Sequence, residues 1–235
     1  MTNPTAIPSY YDLRETFAKS GCPVCALIAR DVARYLDAIL YEFSLDPQIH
    51  KVFRAARGLC NSHSWQFTRV GGAAVQISVL YRAVLNEVQQ VVAANQNAPA
   101  ADLFARLAGR ARPNPGPALA AALAPSEPCP ACRHAEQAEA DYLKTLSRFL
   151  PDPALNAAYR ASDGLCLPHL RGLFAVIEDA ERAAQVVDIQ MTIWERLHAD
   201  LELFSLKNRA ENQHQPMGRE GDSWLRVVAA IAGRE

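Results

Sequence analysis

The chain has 235 residues, half of them hydrophobic, and a formal net charge of −1. A chain of this length and composition can bury a large core, so it does not need a metal ion merely to collapse. The near-neutral charge gives no general attraction to nucleic acid or to an anionic membrane, and we predict neither as a partner.

The N-terminal sequence and the cysteines both bear on the cellular compartment. The first residues, MTNPTAIPSYYDLRETF, contain prolines and charges where a secretion signal has a basic start and an apolar run. No stretch has the roughly 20 continuous apolar residues of a membrane span. We therefore expect a cytoplasmic protein, in which the six cysteines are metal ligands or redox groups rather than structural disulfides.

Apolar residues recur at helical spacing along three long segments. No segment alternates apolar and polar residues as a half-buried strand does, so we predict an all-α fold. The residues that mark the three helix faces are Ile28, Val32, Leu36, Ile39 and Phe43 in the first segment, Ile77, Tyr81, Val84, Val88 and Val91 in the second, and Val186, Ile189, Ile193, Leu197, Leu201 and Phe204 in the third.

The two halves of the chain resemble each other in sequence. Asp46-Pro47 corresponds to Asp152-Pro153, and Gly58-Leu59-Cys60 corresponds to Gly164-Leu165-Cys166. The offset between the halves changes by one residue at the Asp-Pro turn, where a deletion costs little. We therefore predict two duplicated helical repeats that pack like a helix bundle, each with a metal site joining helix N-termini.

The predicted organisation has three parts. Residues 1–95 form the first metal-binding repeat, residues 96–127 form a linker rich in Ala and Pro with short helices, and residues 128–235 form the second repeat. Asp102 to Gly109 is the better helix candidate in the linker. Asp222 can cap a final helix that docks on the body of the protein. The apolar residues of that helix are Trp224, Leu225, Val228 and Ile231.

Each repeat contains a CPxC motif and, further along, a GLCxxH motif. Two pairs of ligands spaced by two residues supply the four donors of a tetrahedral ion. The intervening segment has 34 residues in the first repeat and 33 in the second, and every cysteine is used. We predict one site per repeat. The ligands are Cys22, Cys25, Cys60 and His63 in the first, and Cys129, Cys132, Cys166 and His169 in the second.

The local sequence places these ligands at helix starts. Pro23 and Pro130 suit the first position of a helix, which makes the preceding cysteine its cap. Gly58 and Gly164 can end a helix, so that the cysteine two positions later opens the next one. Two helix starts would then meet at each ion, and their dipoles favour the thiolate form that a metal requires.

One length limits the pairing of ligands within a repeat. A helix from Pro23 to about Phe43 is on the order of 30 Å long, whereas Pro47 to Arg57 returns only about 16 Å. Extended residues or a kink must supply the remainder if Cys60 is to reach Cys22.

Other interpretations of the cysteines fit the sequence less well. Cysteines that merely fill a helical core have no reason to repeat this spacing. CPVC and CPAC are similar to thiol–disulfide exchange motifs, but those usually follow a strand in a mixed α/β fold. PCPAC lacks the HxE motif of the zinc deaminases, and neither CxxC has the adjacent histidine of a covalent haem site.

The combination of CPxC, a tyrosine-bearing helix, GLCxxH, its repetition and a C-terminal GDSWLR helix resembles a bacterial family of small cysteine-containing helical proteins of unknown function. The resemblance covers most of the chain. It supports the same eight cysteine and histidine positions and implies no activity.

The leading functional hypothesis is a non-enzymatic helical module that is stabilised by two zinc ions and binds a protein partner. The alternative is a redox protein or sensor with two iron–sulfur clusters on the same ligands, since histidine can replace cysteine in some clusters. A third hypothesis is an enzyme whose histidine detaches to open a coordination position. The sequence indicates no substrate and no catalytic residue.

Overall fold

The structure is a computed structural model that describes residues 7–41, 46–95, 114–212 and 214–233. Eleven α-helices and two short 3₁₀ turns occur in these ranges, and none of the residues there forms a strand. The prediction of an all-α fold is therefore confirmed. None of the helices in these ranges combines the length and the apolar character that a membrane span requires.

The chain divides into two compact units. Unit 1 consists of residues 1–31 and 135–235, and unit 2 consists of residues 32–134. The predicted division into repeats at residues 95 and 128 concerns the duplication of the sequence, and it stays a prediction.

Unit 2 contains three complete α-helices between residues 46 and 95 and a fourth before residue 130. These are α3 (Pro47–Ala55), α4 (Asn61–Phe67), α5 (Ala74–Asn95) and α6 (Gly116–Leu123). Helix α5 packs against both α3 and α6. The α6 helix lies in the predicted linker, while the predicted helix from Asp102 to Gly109 lies outside the described residues.

Unit 1 contains five complete α-helices. These are α1 (Pro8–Thr16), α8 (Pro153–Ala161), α9 (Leu167–Val176), α10 (Ala180–Lys207) and α11 (Ser223–Ala232). Helix α8 packs against α1 and α10, and α11 packs against α9 and α10. The predicted C-terminal helix is thus present and docked.

Two long helices belong to both units. They are α2 (Pro23–Tyr41) and α7 (Pro130–Phe149). The first residues of α2 belong to unit 1 and the rest to unit 2, whereas α7 begins in unit 2 and continues in unit 1. Both CPxC motifs stand at the start of these helices, and this arrangement decides which ligands meet.

The helix starts follow from local chemistry. Pro47 and Pro153 occupy the first helical position of α3 and α8, where a missing N–H costs nothing. Asp46 precedes α3 and accepts a hydrogen bond from the backbone N–H of Gln48. Asp152 does the same for α8 with two N–H groups. Each carboxylate satisfies donors that the first turn leaves without partners inside the helix.

Each unit has its own apolar core. In unit 2, the Phe53 ring packs against those of Phe67 and Tyr81. In unit 1, Phe17 stacks on Tyr159 at a centroid distance of 5.0 Å. Three cysteines belong to the unit 1 core: Cys22, Cys25 and Cys166. The ligand positions of unit 1 are therefore surrounded by packed side chains.

Candidate metal centres

The eight predicted ligands form two groups, one in each unit, and each group has three cysteines and one histidine. Within a group, the ligand atoms all lie within 4.8 Å of one another, so each group can hold a metal ion. The unit 1 group is Cys22, Cys25, Cys166 and His169. The unit 2 group is Cys60, His63, Cys129 and Cys132.

The predicted pairing of ligands within each repeat is wrong. The CPxC of the first repeat joins the CxxH of the second, and the CPxC of the second joins the CxxH of the first. The reason is helix length. Helix α2 has 19 residues, about 28 Å, whereas α3 has nine and returns only about 14 Å. The same imbalance holds for α7 and α8, with 20 and nine residues.

The distances in the unit 1 group match a tetrahedral ion. Bonds of about 2.3 Å to sulfur and 2.0–2.1 Å to nitrogen separate two sulfurs by about 3.8 Å, and a sulfur from a nitrogen by about 3.6 Å. The Sγ atoms of Cys25 and Cys166 are 3.7 Å apart. The Nδ1 atom of His169 lies 3.5 Å from the Sγ of Cys22, 3.4 Å from that of Cys25 and 3.1 Å from that of Cys166.

The unit 2 group has nearly the same dimensions. The Sγ atoms of Cys60 and Cys132 are 3.6 Å apart. The Nδ1 atom of His63 lies 3.2 Å from the Sγ of Cys60, 3.7 Å from that of Cys129 and 3.4 Å from that of Cys132. Both groups therefore present Nδ1 as the histidine donor.

All ligands lie at helix starts, as the sequence predicts. Helices α2 and α7 begin at Pro23 and Pro130, directly after the first cysteine of each CPxC. Cys60 and Cys166 are the N-caps of α4 and α9. The Sγ atoms of both caps lie 3.1–3.7 Å from other ligand atoms of their groups. Each group thus joins two helix N-termini.

The loop before each N-cap cysteine depends on a glycine with a left-handed backbone. Gly58 has φ 91° and Gly164 has φ 80°, a region that residues with a Cβ rarely adopt. A Cβ on Gly164 would lie 2.8 Å from the side-chain nitrogen of Gln190, and one on Gly58 would lie 3.0 Å from the Tyr81 ring. Both loops therefore need glycine for conformation and for space.

Gln190 fixes the loop of unit 1. It is only 1% exposed. Its side-chain nitrogen donates to the carbonyl oxygen of Leu165, and its Oε1 accepts from the backbone N–H of Leu165 and from the hydroxyl of Tyr159. A single side chain thereby satisfies both backbone groups of the residue before Cys166 and sets the position of that thiol.

Tyr81 and Ser64 hold the corresponding loop of unit 2. The hydroxyl of Ser64 donates to the carbonyl oxygen of Leu59, the residue before Cys60. The oxygen atoms of Ser64 and Tyr81 are 2.9 Å apart. The two units therefore hold equivalent loops with different side chains.

Close packing shifts the pKa values of the unit 1 group. Hydrogen bonds with Cys166 and Cys25, together with burial, raise the pKa of the Cys22 thiol far above its ordinary value. Burial lowers the pKa of His169, but hydrogen bonds with the Cys166 and Cys25 thiols outweigh this effect and raise it to about 10. A metal cation requires thiolates and neutral imidazole, so its binding must release protons from this group.

The unit 2 group shows the effect of the helix N-terminus on a thiol. Burial raises the pKa of Cys60, but backbone N–H groups of His63 and Ser62 and the neighbouring thiols outweigh it, so that the pKa is lowered. Burial and a hydrogen bond with Cys60 raise the pKa of Cys132 to about 12. Burial lowers the pKa of His63, which favours the neutral imidazole that a metal binds.

A carboxylate lies near the second ring nitrogen of His169. The Nε2 atom of this histidine is 3.7 Å from Oε1 of Glu139 on α7. This distance is longer than a hydrogen bond but within the range of an ion pair. Carboxylates in this position orient histidine ligands in many metal sites and increase their basicity.

The C-terminal end of α11 covers the unit 1 group. Gly233 caps this helix with φ 84°, and a Cβ there would lie 3.5 Å from the Sγ of Cys25 and 3.6 Å from that of Cys166. A cavity of about 390 Å³ between α11 and the Gly164 loop also borders Cys22 and Cys166. The end of the predicted C-terminal helix is thus part of the wall around the unit 1 ligands.

Sequence reasoning missed the residues that support the ligands. Gln190 had a detectable signal, because it is a polar residue four positions after Val186 on the buried face of α10. The spacing of Tyr81 indicates only that it lies on an apolar helix face. Gly233 had no signal, because a glycine after a helix is common and its contact with the sulfurs depends on how α11 docks.

Comparisons with known proteins add a family and no activity. No curated protein and no solved structure matches the chain. The model of a family of unknown function, DUF6062, matches residues 69–235, which is well over half of the chain and includes Cys129, Cys132, Cys166 and His169. The chain therefore belongs to the DUF6062 family of unknown function.

Proposed function

We propose that this protein is a helical module in which each unit is stabilised by one zinc ion bound to three cysteines and one histidine. The proposal rests on the geometry of the donors. Separations of 3.1–3.7 Å between Nδ1 and Sγ atoms, and of 3.6 and 3.7 Å between sulfurs, suit one tetrahedral ion in each group.

A structural rather than catalytic role is supported by the number of ligands. Catalytic zinc sites usually have three protein ligands and keep the fourth position for water or substrate, whereas structural sites use four. Each group here offers four. We therefore propose that the metal joins two helix N-termini in each unit and has a structural rather than a catalytic role.

Zinc is favoured over an iron–sulfur cluster by the spread of the ligands. The ligands of a cluster are shared among two or more iron atoms bridged by sulfide, so the ligand atoms must spread around a body larger than one ion. Ligand atoms within 4.8 Å of one another support a single ion. Three thiolates and one imidazole also form a common donor set of structural zinc.

A protein-interaction role is part of this proposal. It is supported by the apolar face of α11, where four large side chains are about half exposed: Trp224 51%, Leu225 52%, Val228 58% and Ile231 54%. Contiguous exposed apolar residues of this kind are typical of surfaces that bind proteins. The metal in unit 1 would support this surface, because α11 ends against its ligands.

The test is elemental analysis of anaerobically purified protein, together with its visible spectrum and its thermal unfolding. We expect colourless protein with about two zinc ions per chain. Removal of zinc by a chelator should lower the melting temperature by about 10 °C or more, because 1 kcal/mol corresponds to about 2–4 °C in a chain of this size. Metal-free protein of unchanged stability would contradict the proposal.

The same preparation tests the iron–sulfur alternative. A cluster protein would be brown, with iron and acid-labile sulfide in its composition and charge-transfer absorption in the visible range. Iron with this absorption would replace zinc in the proposal, while the eight ligands would stay the same.

A further inference from the structure

The two groups differ in their exposure to solvent. In unit 2, Cys60, Cys132 and His63 are partly exposed. In unit 1, every ligand is buried, with exposed fractions of 6% for Cys22, 8% for Cys25, 1% for Cys166 and 8% for His169. Sites with the same ligands and nearly the same dimensions are therefore open to solvent reagents to different degrees.

The difference in exposure has a structural cause in unit 1. Gly233 at the end of α11 lies against the Cys25 and Cys166 sulfurs. The cavity that borders Cys22 and Cys166 gives little access, since these residues keep only 6% and 1% of their surface exposed. A solute that attacks sulfur must reach the sulfur atom, so shielding of this kind slows the reaction.

The unit 2 cysteines are placed for disulfide formation. The Sγ atoms of Cys60 and Cys132 are 3.6 Å apart, and a disulfide bond is about 2.05 Å long. Cys60 ends a loop at the start of α4, and Cys132 lies in the first turn of α7. A movement of about 1.5 Å would join the two sulfurs.

We propose that the unit 2 group is a peroxide-reactive site that releases its metal when Cys60 and Cys132 form a disulfide, while the unit 1 group keeps its metal. The proposal rests on zinc binding as proposed above. It assigns the two sites different uses, a retained structural ion in unit 1 and a releasable ion in unit 2.

The reaction consumes one hydrogen peroxide for each disulfide. One of the two thiolates attacks a peroxide oxygen, the O–O bond breaks, and a sulfenic acid forms while hydroxide leaves. The second thiolate attacks the sulfenic sulfur, the S–S bond forms, and a second hydroxide leaves. Two protons convert the hydroxides to water. The two sulfurs are oxidised by two electrons in total and peroxide is reduced. Only His63 and Cys129 would then remain to hold a zinc ion.

The test uses the full chain with its zinc content measured beforehand. Hydrogen peroxide is added in a one-to-one ratio, and released zinc is followed by the colour of 4-(2-pyridylazo)resorcinol. We expect one zinc to leave at least about tenfold faster than the other, and the count of six thiols under denaturing conditions to fall to four. Proteolytic mapping by mass spectrometry should find Cys60 joined to Cys132. Dithiothreitol and zinc should restore the starting material.

Two single variants identify the unit that responds. Cys166→Ser removes a unit 1 ligand and should leave the fast release unchanged. Cys60→Ser removes one partner of the disulfide and should abolish it. Mapping on the unaltered chain does not depend on whether either variant folds.

Several results would overturn the inference while the zinc proposal stands. They are release of both ions at the same rate, faster release from unit 1, and oxidation confined to Cys22, Cys25 or Cys166. A disulfide between Cys129 and Cys132 would also contradict the assigned pair. Protein that contains no zinc before peroxide is added would instead overturn the proposed function, and the inference with it.

Discussion

The residues that position the metal ligands make contacts as well defined as those of the ligands themselves. Gln190 makes three hydrogen bonds at the Gly164 loop, two of them to the backbone of Leu165. Inside a protein, a backbone N–H or carbonyl that loses its partner costs about 1–3 kcal/mol. The thiol of Cys166 is therefore held by a polar network in an otherwise apolar core.

We predict that Gln190→Leu weakens the unit 1 site selectively. Leucine has a similar size but leaves the N–H and carbonyl of Leu165 and the hydroxyl of Tyr159 without their partner. Loss of a group that orients metal ligands typically reduces affinity by about 10–100-fold. Zinc affinity should fall by this factor at one of the two sites, as measured by competition with a chromophoric chelator.

The control is Gln137→Leu, the same substitution at an exposed position of α7 where the amide nitrogen donates a hydrogen bond to Asp141. It should leave both affinities unchanged. Equal weakening of both sites by Gln190→Leu would indicate a general loss of stability and would contradict the assigned role.

The sequence was sufficient to predict the metal ligands, but it did not predict the residues that hold the ligand loops in place. The sequence identifies all eight ligands, which form two groups of four in the structure, because cysteine and histidine at this spacing are typical of a metal site. Tyr81 and Gln190 pack against equivalent glycine loops but are different residue types. A comparison of the two predicted repeats therefore could not identify either residue as a loop contact. Their role appears only when the distance to the glycine loop is known.

The position of helix α11 depends strongly on a few polar contacts. Two ion pairs fasten it and the turn before it to α10. Glu220 contacts Lys207, and Arg226 contacts Asp200 at 2.9 Å. The backbone N–H of Gly218 also donates to Glu220. The apolar residues Trp224 and Val228 remain half exposed, so polar contacts carry much of the docking.

We predict that Glu220→Gln loosens α11 at neutral pH and that this difference vanishes in acid. The hydrogen bond from Gly218 and the contact with Lys207 lower the pKa of Glu220 from 4.5 to about 2. A carboxylate whose pKa is lowered on folding stabilises the fold above its unfolded pKa. This stabilisation is lost as the pH falls from about 4.5 to about 2. Hydrogen exchange of residues 223–232, compared between variant and parent at each pH, is the measurement.

The matched control is Glu211→Gln, in an exposed 3₁₀ turn of the same segment. It should exchange like the parent at every pH. If Glu220→Gln also exchanges like the parent at neutral pH, then Glu220 does not hold α11.

The boundaries of the elements were more predictable than their exposed faces. Proline and aspartate gave the starts of α2, α3, α7 and α8 because capping is local chemistry. The predicted face of α11 was expected to contact the body, but Trp224 and Leu225 are half exposed. An apolar face of a helix indicates that burial is favourable, but it does not indicate which part of the protein or which partner covers that face.

At the scale of the whole molecule, the two predicted repeats exchange their CPxC motifs: each CPxC joins the CxxH of the other repeat. Helices α2 and α7 each begin in one unit and end in the other. Each unit therefore contains the CPxC of one repeat and the GLCxxH of the other. The motifs alone could not identify the partner, because both copies offer the same ligands, although the helix lengths expected from the sequence already made pairing within a repeat difficult. The difference between the lengths of α2 and α3 decides it.

The pairing of each CPxC with the CxxH of the other predicted repeat can be tested by measuring the zinc content of two double variants. Cys22→Ala with Cys166→Ala removes two ligands from the unit 1 group and should leave one zinc per chain. Cys22→Ala with Cys60→Ala removes one ligand from each group and should leave none, because a site with three of its four ligands binds zinc far more weakly. Pairing within each repeat would give the opposite counts.

Both variants lack two cysteines, so the number of thiols lost cannot explain a difference. Elemental analysis after gel filtration, with circular dichroism to verify helicity, distinguishes the two arrangements, and equal zinc content in both variants would contradict the exchange.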